Sequence, residues 1–222
     1  MPRFMLFNYW RSSASHRVRI ALALKGLSYE YVSVNIVIGE QSQGPHAARS
    51  PTGYVPCLTI DGVRYTESVA IVELLEERFP APALYPKDAH GRARVRTLVE
   101  IVNSGIQPLQ NTSVLAYLPE GAETRAKWLG HFVARGLASL ERAMGMNEAE
   151  GGHGASGPFA YGDSPTAADV FLVPQVAAAK RFGIDVAPFR RVSAAFDAAR
   201  GLEAFRCAAP ENQPDAVASS TG

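Results

Sequence analysis

Only two cysteines occur in the 222 residues, Cys57 and Cys207. They lie far apart and neither belongs to a C-x-x-C pair, which excludes the dithiol chemistry of a thioredoxin-type redox protein. Both are expected to be small buried apolar residues. Long apolar runs are missing too. No stretch approaches the roughly 20 residues that cross a bilayer, and the apolar residues between Phe4 and Phe7 are too few for a signal peptide. An excess of one charge is also absent: the formal net charge is +1, which leaves no basic footprint for nucleic acid. No internal repeat is evident, and no metal site is expected. These absences point to a cytoplasmic protein that binds neither membrane nor nucleic acid. What is present is ordinary globular material, with 47% hydrophobic and 19% charged residues, in a chain long enough for one large domain or two modest ones.

The first third of the chain reads as an α/β unit. Residues 4–10 form an apolar and aromatic strand. A Ser-rich break follows, then a helical pattern through Val18, Ala21, Leu22 and Lys25 that Gly26 closes. Tyr29 to Val34 reads as a second strand, and 38–54 as loop with a weak helical turn. Cys57–Ile60 and Val63–Tyr65 flank Asp61-Gly62, a two-residue hairpin turn of the I′ type. Ser68 then caps a helix whose Ile71, Val72, Leu75 and Phe79 share one face. The first crossover requires parallel strands, and the hairpin adds an antiparallel pair.

Pro80-Ala-Pro82 and Tyr85-Pro86 break the pattern, so the domain boundary is expected between residues 81 and 88. The rest reads as helix. Trp128, Phe132, Leu137, Leu140 and Met144 mark one stripe, widened by Leu129, Val133 and Gly136. Residues 151–158 are a Gly-rich loop. Thr166 and Asp169 have capping-box spacing, and the helix they start is apolar nearly all round, as a central helix should be. The tail after Pro210 is polar and small and is expected to fray.

Three turns can carry chemistry. Arg11-Ser12-Ser13-Ala14-Ser15 sits where a strand ends and a helix begins. Free N–H groups and the helix dipole favour an anion or thiolate there, and a nearby hydroxyl can lower a thiol's pKa by donating to the charged sulfur. A plain Ser N-cap is the simpler alternative. Val55-Pro56 precedes a strand. A cis bond there can leave the Val55 backbone free to pair with an extended peptide, although a proline at strand entry needs no such role. Glu67-Ser68 is a second helix start, able to hold a carboxylate and an ammonium, or merely a cap.

These three turns, with Trp10–Gly26 (WRSSASHRVRIALALKG), Gly105–Leu115 (GIQPLQNTSVL) and Gly162–Val176 (GDSPTAADVFLVPQV), resemble the zeta class of the glutathione transferase family. The resemblance covers about residues 4 to 215. It implies a thioredoxin-like N-terminal domain over 1–82, an all-helical substrate-binding domain over 88–215 and a frayed tail over 216–222. It also implies glutathione as cofactor, a homodimer, a place in aromatic catabolism and isomerisation of a maleyl keto acid to its fumaryl form. Alternatives on the same site are conjugation or dehalogenation of another small electrophile and isomerisation of a different cis-enone. A binding module without catalysis is a further reading.

Carried onto this sequence, Ser12 faces the glutathione sulfur with Ser13 and Ser15 nearby. Val55 pairs with the tripeptide backbone, and Glu67 and Ser68 hold the γ-glutamyl end. Gln107, Asn111 and Ser113 line the cleft around a helix kinked at Pro108, and Gln41 is a further cofactor candidate. Arg11 and Arg181 resemble the arginines that grip substrate carboxylates, for which a guanidinium fork is well shaped. The sequence departs from the class at Ala14, where many members carry Cys, and at Thr112, where some maleylpyruvate isomerases carry Arg. At Ser50 an Asn often stands before the Pro, a swap within turn chemistry. His16, one turn into the helix, reads as structural or as a base.

Overall fold

In the computed structural model, residues 2–150 and 156–217 are described, so 151–155 of the Gly-rich loop and 218–222 of the tail lie outside them. The chain divides into two compact units, one of residues up to Pro82 together with those from Leu202, the other Ala83–Gly201.

In the first unit the elements are β1 (Phe4–Asn8), α1 (Ser13–Leu24), β2 (Glu30–Ser33), a short α2 (Gly44–Ala47), β3 (Cys57–Ile60), β4 (Val63–Thr66) and α3 (Ser68–Arg78). The sheet order is β2-β1-β3-β4. β1 and β2 are parallel, as the α1 crossover demands, while β3 pairs antiparallel with both β1 and β4. Asp61 and Gly62 have φ of 51° and 85°, the left-handed pair that a type I′ turn requires. Leu6, Ile20, Leu58 and Ile71 are sealed from solvent. A second apolar cluster gathers Phe7, Tyr9, Val34, Val55 and Cys57. α1 is more deeply buried than its apolar stripe predicts, for Arg17 and Arg19 are both inside. Lys25 fits the same pattern because its ammonium is buried against Glu76 Oε2 at 2.6 Å.

Several expectations are corrected here. Ser68 is the first residue of α3 and not its cap; Glu67 occupies that place, with no side-chain cap hydrogen bond. The Ser68 hydroxyl is instead occupied by Arg17, whose Nη1 donates to it at 3.1 Å. The end of the chain does not belong with the helical domain. α9, which spans Glu203–Ala208, packs against α1. The segment beyond Pro210 is anchored there as well: Gln213 Nε2 donates to Cys207 and Ala209 carbonyls at 2.9 and 2.8 Å, and Asp215 accepts from three groups described below. A polar composition predicted fraying, but the polar groups are the anchors. Cys57 is buried as expected, whereas Cys207 is exposed, because α9 turns Phe205 and Ala208 inward.

The second unit contains α4 (Ala89–Asn103), α5 (Thr112–Leu115), α6 (Ala122–Glu150), α7 (Ala167–Arg181) and α8 (Arg190–Arg200). The capping box is present at Thr166 and Asp169, and α7 is buried from Ala167 to Val176. The buried stripe of α6 runs through Leu129, Val133, Gly136, Leu137, Leu140 and Met144, leaving Trp128 and Phe132 half-buried at its edge. No single helix kinks at Pro108. α4 ends at Asn103, Gln107–Gln110 form a 3-10 turn, and α5 begins anew after Asn111. Pro108 has no N–H to donate and its ring clashes with the carbonyl four residues back, which disfavours a continuous α-helix through this stretch.

α6 supports that break closely. A Cβ on Gly136 would lie 2.2 Å from Ile106 Cγ1, beside the 3-10 turn, and Trp128 Nε1 donates to the Leu109 carbonyl at 2.7 Å. Gly136→Ala is therefore expected to lower stability by about 1–3 kcal/mol. Gly130 has open space around its Cα, so Gly130→Ala should add about 0.5–1 kcal/mol through helix propensity. Urea denaturation of the two variants checks this opposite pair of signs.

Candidate active site

The sheet register brings three of the predicted turns to one end of the first unit. Phe7 is opposite Cys57, and Cys57 is opposite Thr66. The exit of β1 into Tyr9–Ser12, the entry to β3 through Val55-Pro56 and the exit of β4 into Glu67-Ser68 therefore share one edge.

At the first turn, Ser12 is the N-cap of α1, with its Oγ accepting from Ser15 N–H at 3.2 Å. Because that hydroxyl accepts within the cap, its own proton stays free to be donated. Ser13 is 9% exposed and Arg11 is exposed, with its guanidinium 5.5 Å from the Trp10 ring centre. Ser15 does not reach the surface; it is sealed at 0% exposure with its Oγ accepting from Tyr9 N–H at 3.5 Å. It belongs to the inside of the turn, not to a ligand.

At the second turn the Val55-Pro56 bond is cis, and the Val55 side chain is buried. Its backbone N–H and carbonyl make no hydrogen bond among the described residues. The preceding loop is braced by His46 Nε2 against the Tyr54 carbonyl at 3.0 Å, and by Ser50 Oγ, which accepts from Tyr54 N–H at 3.2 Å. Ser50 thus performs the turn chemistry expected of it. Gln41 belongs to the same neighbourhood: its carbonyl would lie 3.6 Å from a Cβ on Gly53, and its buried Oε1 has no hydrogen-bond partner among the described residues.

At the third turn Glu67 has φ 66° and ψ 116°, a conformation that costs a non-glycine residue roughly 1–3 kcal/mol and is concentrated at ligand sites. Its carboxylate is exposed and accepts from Thr52 Oγ1 at 3.5 Å. α3 starts without a side-chain cap, so its first N–H groups are available to a carboxylate. Arg17 lies behind Ser68 as a buried positive charge. Arg17 was not a predicted site residue; its partner is 51 residues away and no local motif announces it.

The other predicted residues lie in the second unit. Asn111 caps α5, its Oδ1 accepting from Ser113 N–H and from Ser113 Oγ, both at 3.1 Å. Gln107 Oε1 accepts from Gln110 Nε2 at 3.2 Å. Gln110 forms a reciprocal buried amide pair with Gln175, at 3.1 and 2.9 Å, which ties the 3-10 turn to α7. Arg181 ends α7, exposed, with its guanidinium 5.1 Å from the Phe182 ring centre. Gln110 and Gln175 were missed because a buried amide pair looks like any two polar residues until the helices are packed.

His16 sits on the buried side of α1. It is buried, its Nε2 has no hydrogen-bond partner among the described residues, and burial, then Arg19 and Arg17, hold its pKa well below the usual histidine range. The unfolded chain takes up a proton near pH 6.5 and the native state does not. Its contribution to stability is complete above about pH 6.5 and is lost as pH falls below that value. Asp169 titrates in the opposite sense over part of the range, for burial pushes its carboxyl up to about 6. The difference between the parent protein and His16→Gln in urea at pH 7.5 and 5.5 isolates the histidine: the pH-dependent loss should be smaller in the variant.

The three turns together can hold an extended peptide acid: a sulfur at α1, a main-chain partner at Val55 and a carboxylate and ammonium at α3. Models of the glutathione S-transferase N-terminal and C-terminal domains match residues 6–83 and 130–204 respectively. Maleylpyruvate isomerase of a Ralstonia species is 41% identical over 216 residues, covering 96% of this chain and 99% of that protein. Maleylacetoacetate isomerase of Pseudomonas aeruginosa is 43% identical over 220 residues, covering 96% and 99%. Among solved structures, the holo form of a maleyl pyruvate isomerase described as a bacterial zeta-class glutathione S-transferase aligns with TM-score 0.90 at 40% identity, over 96% of this chain and all of that one. The maleylacetoacetate isomerase of Anaeromyxobacter dehalogenans, with dicarboxyethyl glutathione and citrate in its active site, gives TM-score 0.86 at 45% identity over 98% and 99%. With that sheet edge, those two domain matches and full-length relatives of this kind, the chain belongs to the zeta class of the glutathione transferase family.

Proposed function

We propose that this protein is a glutathione-dependent cis–trans isomerase that converts a maleyl keto acid, maleylpyruvate or maleylacetoacetate, to the fumaryl form. The observation that carries the reading is Ser12 at the start of α1, a cap whose hydroxyl still has a proton to give. Glutathione, when bound, supplies a thiolate that adds reversibly at the cis double bond, so that the bond becomes single, turns and re-forms trans as the thiolate leaves. Ser12 donates to the sulfur, and the dipole of α1 and the nearby Ser13 favour its charged form. Val55 pairs with the tripeptide main chain. Ser68, Glu67 and the uncapped start of α3 hold the γ-glutamyl carboxylate and ammonium, with Arg17 adding positive charge behind them. Gln41, Gln107, Asn111 and Ser113 are the remaining polar candidates for the cofactor. Arg11 and Arg181 grip the substrate carboxylates and steady the charge that grows on the keto oxygen, where electrostatic help is worth most. Ala14 leaves glutathione as the only thiol at this turn. The working form is a cytoplasmic homodimer.

The test is substrate range. Purified protein should turn over maleylpyruvate or maleylacetoacetate with glutathione and not without it, while a small α-chloro acid releases no chloride. Chloride release with consumption of glutathione, and no isomerisation, would replace this reading with a dehalogenase.

A further inference from the structure

The Tyr9–Ser12 turn is gripped by two opposite charges, one of them from the far end of the chain. Asp215 Oδ2 accepts from Trp10 N–H at 3.3 Å and from Ser33 Oγ at 2.7 Å, and its Oδ1 accepts from the Tyr31 hydroxyl. Arg19, fully buried, takes the other side of the same residue. Its Nη2 donates to the Trp10 carbonyl at 2.8 Å, and its Nη1 to the Tyr9 carbonyl at 3.3 Å and to Asn8 Oδ1 at 2.9 Å. Its Nε donates to the Ala208 carbonyl at 3.0 Å, so the guanidinium also holds the C-terminal segment that delivers Asp215. The Tyr9 carbonyl is shared with Ser12 N–H at 3.0 Å. A displacement of the Trp10 peptide is thereby passed to Ser12 through one common acceptor.

We propose that Asp215 is a positioning residue for Ser12: with Arg19 it fixes the Tyr9–Ser12 turn from the C-terminal segment and so aims the Ser12 hydroxyl at the glutathione sulfur. Asp215 is well suited to the task because every group it binds lies in this turn or in β2 beside β1. It is also a countercharge for Arg19, whose pKa burial lowers to about 10 while Tyr31, Tyr29 and Asp215 act to raise it. The C-terminal segment is on this view part of the active site without touching substrate. The inference rests on the proposed role of Ser12.

The experiment titrates the thiol of bound glutathione by thiolate absorbance and compares the parent protein with Asp215→Ala and Asp215→Asn. Loosening the turn weakens the Ser12 hydrogen bond, so Asp215→Ala should raise the thiol pKa by about 1 unit, lowering the thiolate population up to about tenfold at a pH below it. The fall should appear in kcat more than in KM. Asp215→Asn retains an acceptor for Trp10 N–H and should stay within about twofold of the parent, which a bulk loss of charge would not allow. A through-space effect has the opposite sign: removing a negative charge lowers the thiol pKa in both variants. An unchanged or lowered pKa in Asp215→Ala overturns the proposal. Where Asp215→Ala does not fold, the double variant Tyr31→Phe/Ser33→Ala, which frees Asp215 while leaving its carboxylate, should raise the pKa in the same direction; no change overturns the proposal equally. Amide hydrogen exchange over residues 9–12 without ligand should be faster in the same variants. That readout judges the clamp even if glutathione binds elsewhere, so its failure is distinct from failure of the Ser12 assignment.

Discussion

Replacing Ser12 by alanine should lower kcat for isomerisation about 100-fold while costing the fold only about 1 kcal/mol. The two numbers come from two jobs of one hydroxyl. As an N-cap it accepts from Ser15 N–H, and loss of such a cap costs about 0.5–2 kcal/mol. As a donor to sulfur it stabilises charge in a site shaped for it, where removal of one donor costs about 2.7–4 kcal/mol, or roughly 100- to 1000-fold in rate. Thermal melts and steady-state kinetics on the same preparation separate the two effects. A fall in rate no larger than the loss of folded protein would show that the hydroxyl only caps the helix. Ser13→Ala, which leaves both the cap and the donor, should cost far less.

The largest effect on stability is expected at Asp169. Its carboxylate is sealed from solvent and accepts from Ala160 N–H and Thr166 N–H, each at 2.8 Å, and from Thr166 Oγ1 at 3.3 Å. Asp169→Ala strands these three buried donors at about 1–3 kcal/mol each, or about 3–9 kcal/mol in all. That is a large part of the roughly 5–15 kcal/mol by which a domain is stable. Asp169→Asn should be nearly as damaging. The two N–H donors sit on different carboxylate oxygens, so an amide must turn its NH2 toward one of them. A chain of this size loses about 2–4 °C of Tm per kcal/mol, so a fall of at least about 6 °C is expected in each variant. A fall under about 3 °C in both would mean that water or a shift of the 160–166 loop replaces the carboxylate.

What was legible in the sequence follows from the range of the interactions. The Asp61-Gly62 hairpin, the Thr166/Asp169 capping box and the start of α1 are built within four residues, and their residue types state their geometry. α7 was legible because helical spacing and near-complete apolarity both point to a central helix. Several misreadings involve distant partners. Ser68 resembles a cap until Arg17, 51 residues away, takes its hydroxyl. Ser15 reads as a cofactor residue beside Ser12, whereas the turn folds over it and seals it from solvent. The tail reads as solvated because nothing in its composition reveals that Asp215 meets Trp10, 205 residues earlier. Arg17 and Arg19 look like the solvated face of an amphipathic helix. They are buried because the polar atoms of turns and of the chain end are arranged around them. The candidate site was legible as a set of turns, and the groups that hold those turns in place were not.

In the proposed reaction glutathione is a catalyst that is returned unchanged. Proton NMR of a maleyl keto acid with the protein and glutathione at about one-hundredth of the substrate concentration measures this directly. Complete conversion of the cis vinyl signals to trans is expected, with many turnovers per glutathione and the free thiol the same at the end as at the start. Conversion that stops after one equivalent of glutathione, or vinyl signals that disappear into a stable thioether, would contradict it.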